Sequence, residues 1–234
     1  MLDFARFQVL TFDCYGTLID WETGIFSALR PILARHSKTI ADPALLELFG
    51  ELEAEAEGGP FHPYREVLRS VVGGLGNYLR FTPTEEELNS LPESLVHWQA
   101  FGDTVPALRQ LQQRYSLGIL SNVDDDLFAS TAAKLGVEFD HVITAQQARA
   151  YKPSLAIFKL AEERIGVAPE RWLHIGQSVY HDVIPAQALG LATVRVNRPS
   201  RRAGLGAVKA GSAQADLEVS TLRGLVHLVV GRQS

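Results

Sequence analysis

The stretch FDCYGTLID, residues 12–20, directly follows the short apolar segment FQVLT at residues 7–11. That segment contains β-branched residues and is bounded by polar ones, which is typical of a buried parallel strand. The strand would bring Asp13 to its carboxyl end, and Gly16 would let the chain turn sharply just beyond it. Because ligands of open α/β sheets bind at the carboxyl ends of the strands, Asp13 is a candidate nucleophile. The alternative is that Asp13 only caps the turn or the next helix.

The composition is that of a globular protein of 234 residues, with 46% hydrophobic and 21% charged residues. This length fits one large domain, or a core with a smaller insert. The formal net charge is −5 and the one basic stretch, residues 197–202, is short, so nucleic acid and anionic membranes are poor candidate partners. We expect no secretory leader and no membrane span, because no apolar run is long enough.

Cys14 is the single cysteine of the chain. One cysteine rules out an internal disulfide and indicates a reducing, cytoplasmic location. Its position beside Asp13 raises the alternative of a thiol nucleophile. Side chains alternate along a strand, so Cys14 should point away from Asp13, and no positioned histidine is evident. We therefore favour the carboxylate.

Five short apolar runs predict buried strands, and helical patterns lie between the last four of them. Strands and helices that alternate with short connections are typical of a doubly wound parallel sheet, so we expect an α/β fold with a Rossmann-like core. Residues 220–230 favour a final helix, although their valine-rich end also fits a strand. The predicted strands are residues 7–12, 117–120, 141–144, 172–175 and 192–196, and the predicted helices between them are residues 124–135, 154–165 and 183–189.

The chain between residues 20 and 103 breaks this alternation, because it holds four helical patterns and no convincing strand. Thr84, with Glu87 three residues later, gives the start signal of the last of these helices. We therefore predict an all-helical cap domain at residues 21–100, inserted into a core of residues 1–20 and 101–234. Such a cap would exclude water from a site at the strand ends and supply specificity. The predicted cap helices are residues 22–35, 43–57, 63–79 and 84–100.

Polar residues follow two further predicted strands and precede one predicted helix. Ser121 and Asn122 end the second strand, where they are able to hold an anionic oxygen, although such residues more often form a turn. Lys152 stands before Pro153, which begins a helix and fixes how the lysine is presented; a lone lysine is more often solvated. Asp182 follows the fourth strand and is either a site residue or the cap of the next helix. Each signal is weak alone.

Taken in this order, the motifs resemble those of the haloacid dehalogenase-like hydrolase superfamily, and the resemblance covers essentially the whole chain. That family carries an Asp nucleophile after strand one, a Ser or Thr after strand two, a Lys before a core helix and acidic residues after strand four. The resemblance implies that Asp13 attacks the substrate to form a covalent ester and that Lys152 steadies Asp13. It also implies that Ser121 and Asn122 bind the acidic end of the substrate.

Two positions depart from the phosphatases of this superfamily. Those enzymes carry a second Asp two residues after the nucleophile, which protonates the leaving alkoxide, and here that residue is Tyr15. They also hold magnesium with acids after strand four, of which the first is replaced here by neutral Gln177. Asp13 and Asp182 alone would make a thin site for an ion that prefers an octahedral shell of oxygens. We therefore expect no metal or other cofactor, with Mg²⁺ as the alternative.

The motif Asp-x-Tyr-Gly-Thr-Leu instead resembles the type II 2-haloacid dehalogenases of the superfamily. A halide ion is a weak base and leaves without a proton, whereas an alkoxide needs a general acid, an effect worth roughly 10²–10⁴-fold. By this resemblance Asp13 displaces halide with inversion, and water then hydrolyses the ester. Thr17 and Lys152 would orient Asp13, and Asp182 would help to position or activate the water.

The match has gaps on the substrate side. The dehalogenases hold halide and substrate with an arginine on an early cap helix that carries a Leu-Trp-Arg pattern, and the nearest sequence here, LFG at residues 48–50, has none. Arg65 or Arg69, on another cap helix, would have to replace it. Tyr15 and Gln177 complete the predicted set of substrate-binding residues.

The leading hypothesis is therefore a metal-independent hydrolase that releases halide from a small anionic substrate such as a 2-halo carboxylate. The second is a magnesium-dependent phosphatase with degenerate motifs, and the third a non-enzymatic descendant that binds a ligand or partner. Members of the superfamily often dimerise through the cap, so a homodimer is a further expectation. Trp21 is a candidate for the pocket roof, and His181 is expected at the surface.

Overall fold

A parallel β-sheet forms the centre of the protein in a computed structural model, which describes residues 2–198, 200 and 211–231. The strands are β1 (Val9–Phe12), β2 (Ser116–Ser121), β3 (His141–Thr144), β4 (Trp172–Gly176), β5 (Ala192–Val196) and β6 (Leu217–Val219). Their spatial order is β3-β2-β1-β4-β5-β6, and every pairing is parallel. The strand order reverses beside β1, so the predicted doubly wound fold is confirmed.

The helices fall into two groups, those inserted after β1 and those that flank the sheet. The inserted helices are α1 (Trp21–Arg35), α2 (Asp42–Glu57), α3 (Tyr64–Leu79) and α4 (Glu85–Ser94). The flanking helices are α5 (Thr104–Leu111), α6 (Asp125–Leu135), α7 (Ala145–Ala148), α8 (Leu155–Ile165), α9 (Ile184–Ala188) and α10 (Leu222–Val230).

β1 contributes to two hydrophobic cores, because alternate side chains of a strand point to opposite faces of the sheet. Leu10 and Phe12 join a large apolar cluster with α5, α6 and α10, and this cluster continues into the inserted helices. Val9 joins a second cluster with Ile157 of α8 and Ala186 of α9. The inserted helices are thus held on the core by a continuous apolar interior.

The two connections between the inserted helices and the sheet run side by side. Ile19 and Ala100 form an antiparallel bridge, and the Asp20 N–H donates to the Gln99 carbonyl at 2.8 Å. We propose residues 21–100, the range expected from the sequence, as a cap domain and refer to them as the cap.

A buried carboxylate fastens the cap to the core. Asp124, in the loop between β2 and α6, accepts hydrogen bonds from the backbone N–H groups of Tyr64 (2.8 Å) and Arg65 (3.0 Å) at the start of α3. These N–H groups have no partner within their helix, and a negative charge also complements the helix dipole. The Tyr151 hydroxyl adds a hydrogen bond to the His62 carbonyl at 2.7 Å. The start of α3 is therefore fixed over the carboxyl edge of the sheet.

The structure confirms the five predicted strands and the final helix, and it adds elements that the sequence did not predict. β6, α5 and α7 are too short to show a clear period. The helix predicted at residues 84–100 ends at Ser94 and continues only as a 3₁₀ turn, Leu95–His97, because the chain then extends toward the bridge at Ala100. The basic stretch at residues 197–202 lies partly outside the described residues. In the described ranges, none of the helices is long and apolar enough to cross a membrane.

We expect Asp124→Ala to lower the free energy of unfolding by about 1–2 kcal/mol, because two N–H groups at the start of α3 lose a buried acceptor. Urea unfolding followed by circular dichroism measures the change. Asp126→Ala is the matched control, since Asp126 is exposed and pairs with the exposed Arg65; it should cost less than about 0.5 kcal/mol. Equal losses for the two variants would contradict this account of the docking.

Candidate active site

Asp13 lies at the end of β1, where the following turn fixes its side chain. Gly16 has a φ of 92°, in the left-handed region that favours glycine, and a Cβ there would collide with the Gln177 side chain. The turn brings back Thr17, whose hydroxyl donates to Asp13 Oδ2 (2.8 Å) and accepts from the Gln177 N–H (2.9 Å). Thr17 therefore holds one oxygen of Asp13 in a defined orientation.

Lys152 places a positive charge beside Asp13. Its Nζ donates to Asp13 Oδ1 (2.9 Å), to Asp182 Oδ1 (2.6 Å) and to the Leu120 carbonyl (2.9 Å), which occupies all three N–H bonds of the ammonium group. Asn122 holds the backbone of Lys152 through two hydrogen bonds, one in each direction (2.7 and 3.2 Å). The lysine thus joins β1, β2 and the turn after β4.

Asp13, Lys152 and Asp182 shift one another's pKa values, because their buried charges lie close together. Burial raises the pKa of Asp13 above its usual range, and the charge of Lys152 acts in the opposite sense. Burial disfavours the charge on Lys152, but Asp13 and Asp182 outweigh it and raise the pKa of the lysine. Burial also disfavours ionised Asp182, yet Lys152 and a hydrogen bond from His174 lower the pKa of this carboxyl well below its usual range. Near neutral pH, Lys152 is thus a cation and Asp182 an anion.

A chain of buried groups below the sheet edge holds Asp182. The Trp172 indole donates to Thr11 Oγ1 (2.7 Å), which lies 2.9 Å from His174 Nδ1, and His174 Nε2 lies 3.4 Å from Asp182 Oδ1. An ionised carboxylate only accepts, so His174 Nε2 donates to Asp182. Sequence reasoning missed His174, because one polar residue in an apolar strand gives no signal of a site.

Asp13, Lys152 and Asp182 line one side of a small pocket between the carboxyl edge of the sheet and the cap. The cavity has a volume of about 50 Å³, which suits a small molecule. The core residues that line it are Asp13, Tyr15, Ser121, Asn122, Lys152, Gln177, Ser178, His181 and Asp182, and the cap residues are Trp21, Glu53, Glu57 and Tyr64.

Two buried polar atoms of the pocket, Trp21 Nε1 and Ser121 Oγ, have no hydrogen-bond partner in the described part of the chain. Their residues are 8% and 1% exposed. Buried polar groups are nearly always satisfied, so these two atoms are placed to bind water or a ligand that lies in the pocket. The sequence suggested Trp21 for the pocket roof but gave no sign of its free N–H.

The other predicted residues on the substrate side converge on this pocket as well. Tyr15, Asn122 and Gln177 line it together with Ser121. The Tyr15 hydroxyl lies 3.0 Å from Thr131 Oγ1, and burial raises the pKa of this phenol well above its usual range. Tyr15 is therefore a fixed, neutral part of the wall.

His181 lines the pocket, which corrects the expectation that it lies at the surface. The residues after β4 form a π-helical turn, Val179–Val183, instead of the ordinary helix start that the sequence suggested. The His181 Nδ1 atom lies 3.2 Å from Ser178 Oγ.

Arg65 and Arg69 lie outside the pocket, which corrects the prediction that one of them binds the substrate anion. Both line a separate cleft between α3, α4 and α6. Arg65 pairs with Asp126 (2.5 Å) and Arg69 with Glu85 (3.0 Å). Their spacing puts both arginines on one face of α3, and Arg65 Nε also lies 3.8 Å from Asp124 Oδ2.

Cys14 is fully buried and does not line the pocket. Burial raises the pKa of its thiol well above the usual range, and the negative charge of Asp13 adds to the effect. Because the thiolate is the reactive form, the alternative of a cysteine nucleophile loses its support.

The residues present do not fit the magnesium alternative. The oxygens of Asp13 and Asp182 already accept hydrogen bonds from Thr17, Lys152 and the Ser178 N–H (3.1 Å). The Lys152 ammonium bridges the two carboxylates, at 2.9 Å from Asp13 Oδ1 and 2.6 Å from Asp182 Oδ1. Among residues 2–198, 200 and 211–231, no group of three or more His, Cys, Asp or Glu side chains is arranged to hold a metal ion.

A sequence model of the haloacid dehalogenase-like hydrolase family matches residues 7–190. The chain belongs to the haloacid dehalogenase-like hydrolases. Among the relatives of this hydrolase, haloacetate dehalogenase H-2 from Moraxella sp. (strain B) is 27% identical over 230 residues, which cover 96% of this chain and 98% of the relative. (S)-2-haloacid dehalogenase 4A from Burkholderia cepacia is 28% identical over 205 residues, 85% of each chain.

A solved structure supports the fold of this hydrolase over nearly all of its length. The L-2-haloacid dehalogenase from Xanthobacter autotrophicus with chloropropionic acid covalently bound matches with a TM-score of 0.79 at 23% identity, covering 97% of this chain and 99% of that one. The likeness confirms the core with inserted helices that the motif order implied.

We expect Lys152→Met to destabilise this hydrolase by about 3–5 kcal/mol near pH 7, because it leaves Asp13 and Asp182 buried without their cation. Both carboxyls would then have a pKa raised above that of the unfolded chain. Such groups bind protons more readily when folded, so the stability of the variant falls as the pH rises and its deficit should shrink from about pH 7 to about pH 5.

Urea unfolding of the variant and the parent protein at both pH values measures this deficit. Lys159→Met is the matched control, since Lys159 is exposed on α8, and its effect should be small at both pH values. A Lys152→Met deficit that is independent of pH would contradict the assigned charge coupling.

Proposed function

We propose that this hydrolase releases halide from a small 2-halo carboxylate, without a metal ion, through a covalent ester on Asp13. The observation that carries the proposal is the 2.9 Å contact between Asp13 and the buried Lys152 ammonium, which gives the carboxylate a fixed counter-charge in place of a divalent cation. The likeness to haloacetate dehalogenase H-2 and (S)-2-haloacid dehalogenase 4A supports this choice of bond.

The first step is a displacement at the halogen-bearing carbon. An oxygen of Asp13 forms the new carbon–oxygen bond, and the halide leaves with the electron pair of the broken carbon–halogen bond. Thr17 and Lys152 hold one carboxylate oxygen each, so the nucleophile is oriented before the substrate arrives. The leaving halide needs no proton, and the neutral Tyr15 at the position of the phosphatase acid is therefore no obstacle.

The second step regenerates Asp13. Water attacks the carbonyl carbon of the Asp13 ester, the acyl carbon–oxygen bond breaks, the hydroxylated product leaves and one proton passes to solvent. Lys152 is placed to stabilise the negative charge that develops on the carboxyl oxygens. The lowered pKa of Asp182 makes it a weak base, so we assign it the positioning of Lys152 instead of proton abstraction from water.

Two further expectations remain predictions about this protein. The single, buried Cys14 supports a cytoplasmic location. A homodimer rests on the family resemblance alone.

Purified protein should release chloride from 2-chloropropionate in the presence of EDTA. Asp13→Asn should lower the rate by at least about 10³-fold, because the nucleophile is lost. Asp126→Asn, which changes a carboxylate outside the pocket, is the matched control. Equal rates in Asp13→Asn and the parent protein, or phosphate release that requires magnesium without any halide release, would reject the proposal.

Trp21→Phe should lower kcat/KM by about tenfold, since one hydrogen bond to an anionic or carbonyl ligand is lost. The same change loses packed volume in the core but no protein hydrogen bond in the described residues, so the free energy of unfolding should fall less than in a variant that loses both. Trp98→Phe is the contrasting control. Its indole donates to Ser94 Oγ at 2.9 Å, so stability should fall while kcat/KM changes little. An unchanged kcat/KM in Trp21→Phe together with a lowered kcat/KM in Trp98→Phe would contradict a ligand contact at Trp21 Nε1.

A further inference from the structure

A buried arginine lies behind the turn that carries the nucleophile. Arg198 comes two residues after the end of β5 and is 7% exposed. It belongs to the short basic stretch at residues 197–202, which the proposed reaction does not use. Arginine is almost never fully buried unless its charge is paired, so the groups that hold this guanidinium indicate what it does.

The guanidinium contacts the backbone of the nucleophile turn. Arg198 Nε and Nη2 donate to the Thr17 carbonyl at 3.1 and 2.9 Å. Thr17 is fully buried, and in the part of the chain that the structure describes this carbonyl receives no other hydrogen bond. A buried carbonyl without a donor is costly, so Arg198 fixes the peptide unit that follows Thr17.

The arginine is itself held in a fixed orientation. Its Nη1 donates to Asp103 Oδ1 at 2.7 Å, and its guanidinium carbon lies 4.2 Å from the centre of the Phe101 ring. Asp103 Oδ2 accepts from the Arg223 N–H at 3.1 Å. Burial disfavours the charge of Asp103, but this hydrogen bond and the charge of Arg198 outweigh it and lower the pKa of the carboxyl. The planar fork of arginine thus bridges Thr17 and the chain that returns from the cap, an arrangement that a lysine ammonium cannot reproduce.

Thr17 is the link between this arginine and the nucleophile. Its hydroxyl donates to Asp13 Oδ2 (2.8 Å) and accepts from the Gln177 N–H (2.9 Å). A shift of Thr17 would turn the Asp13 carboxylate, whose other oxygen is held by Lys152. Misplacing a reacting group by about 1 Å costs about 10²-fold in rate. Arg198 does not line the pocket, so its effect on the rate must pass through these contacts.

We infer that Arg198 is a positioning residue, which holds Asp13 in its attacking orientation through the carbonyl and the hydroxyl of Thr17; this rests on the proposed function. A role limited to stability would give a different result. The folded fraction of a variant would then fall, whereas its folded molecules would keep the rate of the parent protein.

The first test is steady-state chloride release from 2-chloropropionate, measured well below the unfolding temperature of each variant. Arg198→Lys should lower kcat by at least about tenfold, because the nucleophile is misaligned, while KM changes by less than about threefold. Asp103→Asn, the second variant, keeps Arg198 but removes its counter-charge and should lower kcat in the same direction. Arg223→Lys is the matched control, since Arg223 is exposed and binds Asp103 through its backbone N–H; its kcat should match the parent value.

A double-mutant cycle separates positioning from a general structural effect. Thr17→Val removes the hydroxyl that holds Asp13, so Arg198→Lys should lower kcat by less than about threefold in that background. An equal loss in the Thr17→Val background and in the parent protein would overturn the inference while leaving the reaction on Asp13 intact. Parent values of kcat in both Arg198→Lys and Asp103→Asn would overturn it as well.

A measurement without turnover tests the same contact. Burial raises the pKa of Asp13, and the hydrogen bond from Thr17 acts in the opposite sense. Carboxyl ¹³C NMR of aspartate-labelled protein, assigned with Asp13→Asn, should therefore show a higher pKa of Asp13 in Arg198→Lys and the parent value in Arg223→Lys. Absence of chloride release from the parent protein would reject the proposed reaction, whereas an unchanged pKa of Asp13 in Arg198→Lys would overturn the positioning role.

Discussion

A single buried ammonium group is the constraint on which the site depends. Lys152 holds two carboxylates and a backbone carbonyl that come from β1, from the turn after β4 and from β2. Two carboxylates at such close range could not both be buried and ionised without it. The parallel sheet makes the arrangement reachable, because it brings the carboxyl ends of β2, β1 and β4 to one edge.

The same arrangement separates the roles of the two halves of the protein. The core fixes the nucleophile and its counter-charge through groups that are already hydrogen-bonded, including the buried chain from Trp172 to Asp182. The cap supplies the remaining wall, with an unsatisfied indole donor at Trp21 and two carboxyls on α2. The core thus holds the groups of the proposed reaction, and the cap completes the wall that a substrate would meet.

Sequence reasoning reached the core of the site and Trp21 of the cap, but not the remaining cap residues of the pocket. Asp13, Thr17, Lys152 and Asp182 follow from strand ends and motif order, since a parallel sheet determines where such residues meet. The cap residues depend on how each helix is rotated over the pocket, which a single helical pattern does not fix. Arg65 and Arg69 were therefore assigned wrongly, and Glu53 and Glu57 resembled the ordinary charged face of an amphipathic helix. β6 was missed because three residues show no period.

The most direct test of the covalent ester on Asp13 is a single-turnover reaction in H₂¹⁸O, with excess enzyme over a 2-halo substrate that it turns over. Water attacks the ester at the carboxyl carbon of Asp13, so the label should appear in the peptide that contains Asp13, and the product should carry oxygen from the enzyme. Label found in the product after one turnover, with none in that peptide, would contradict the account.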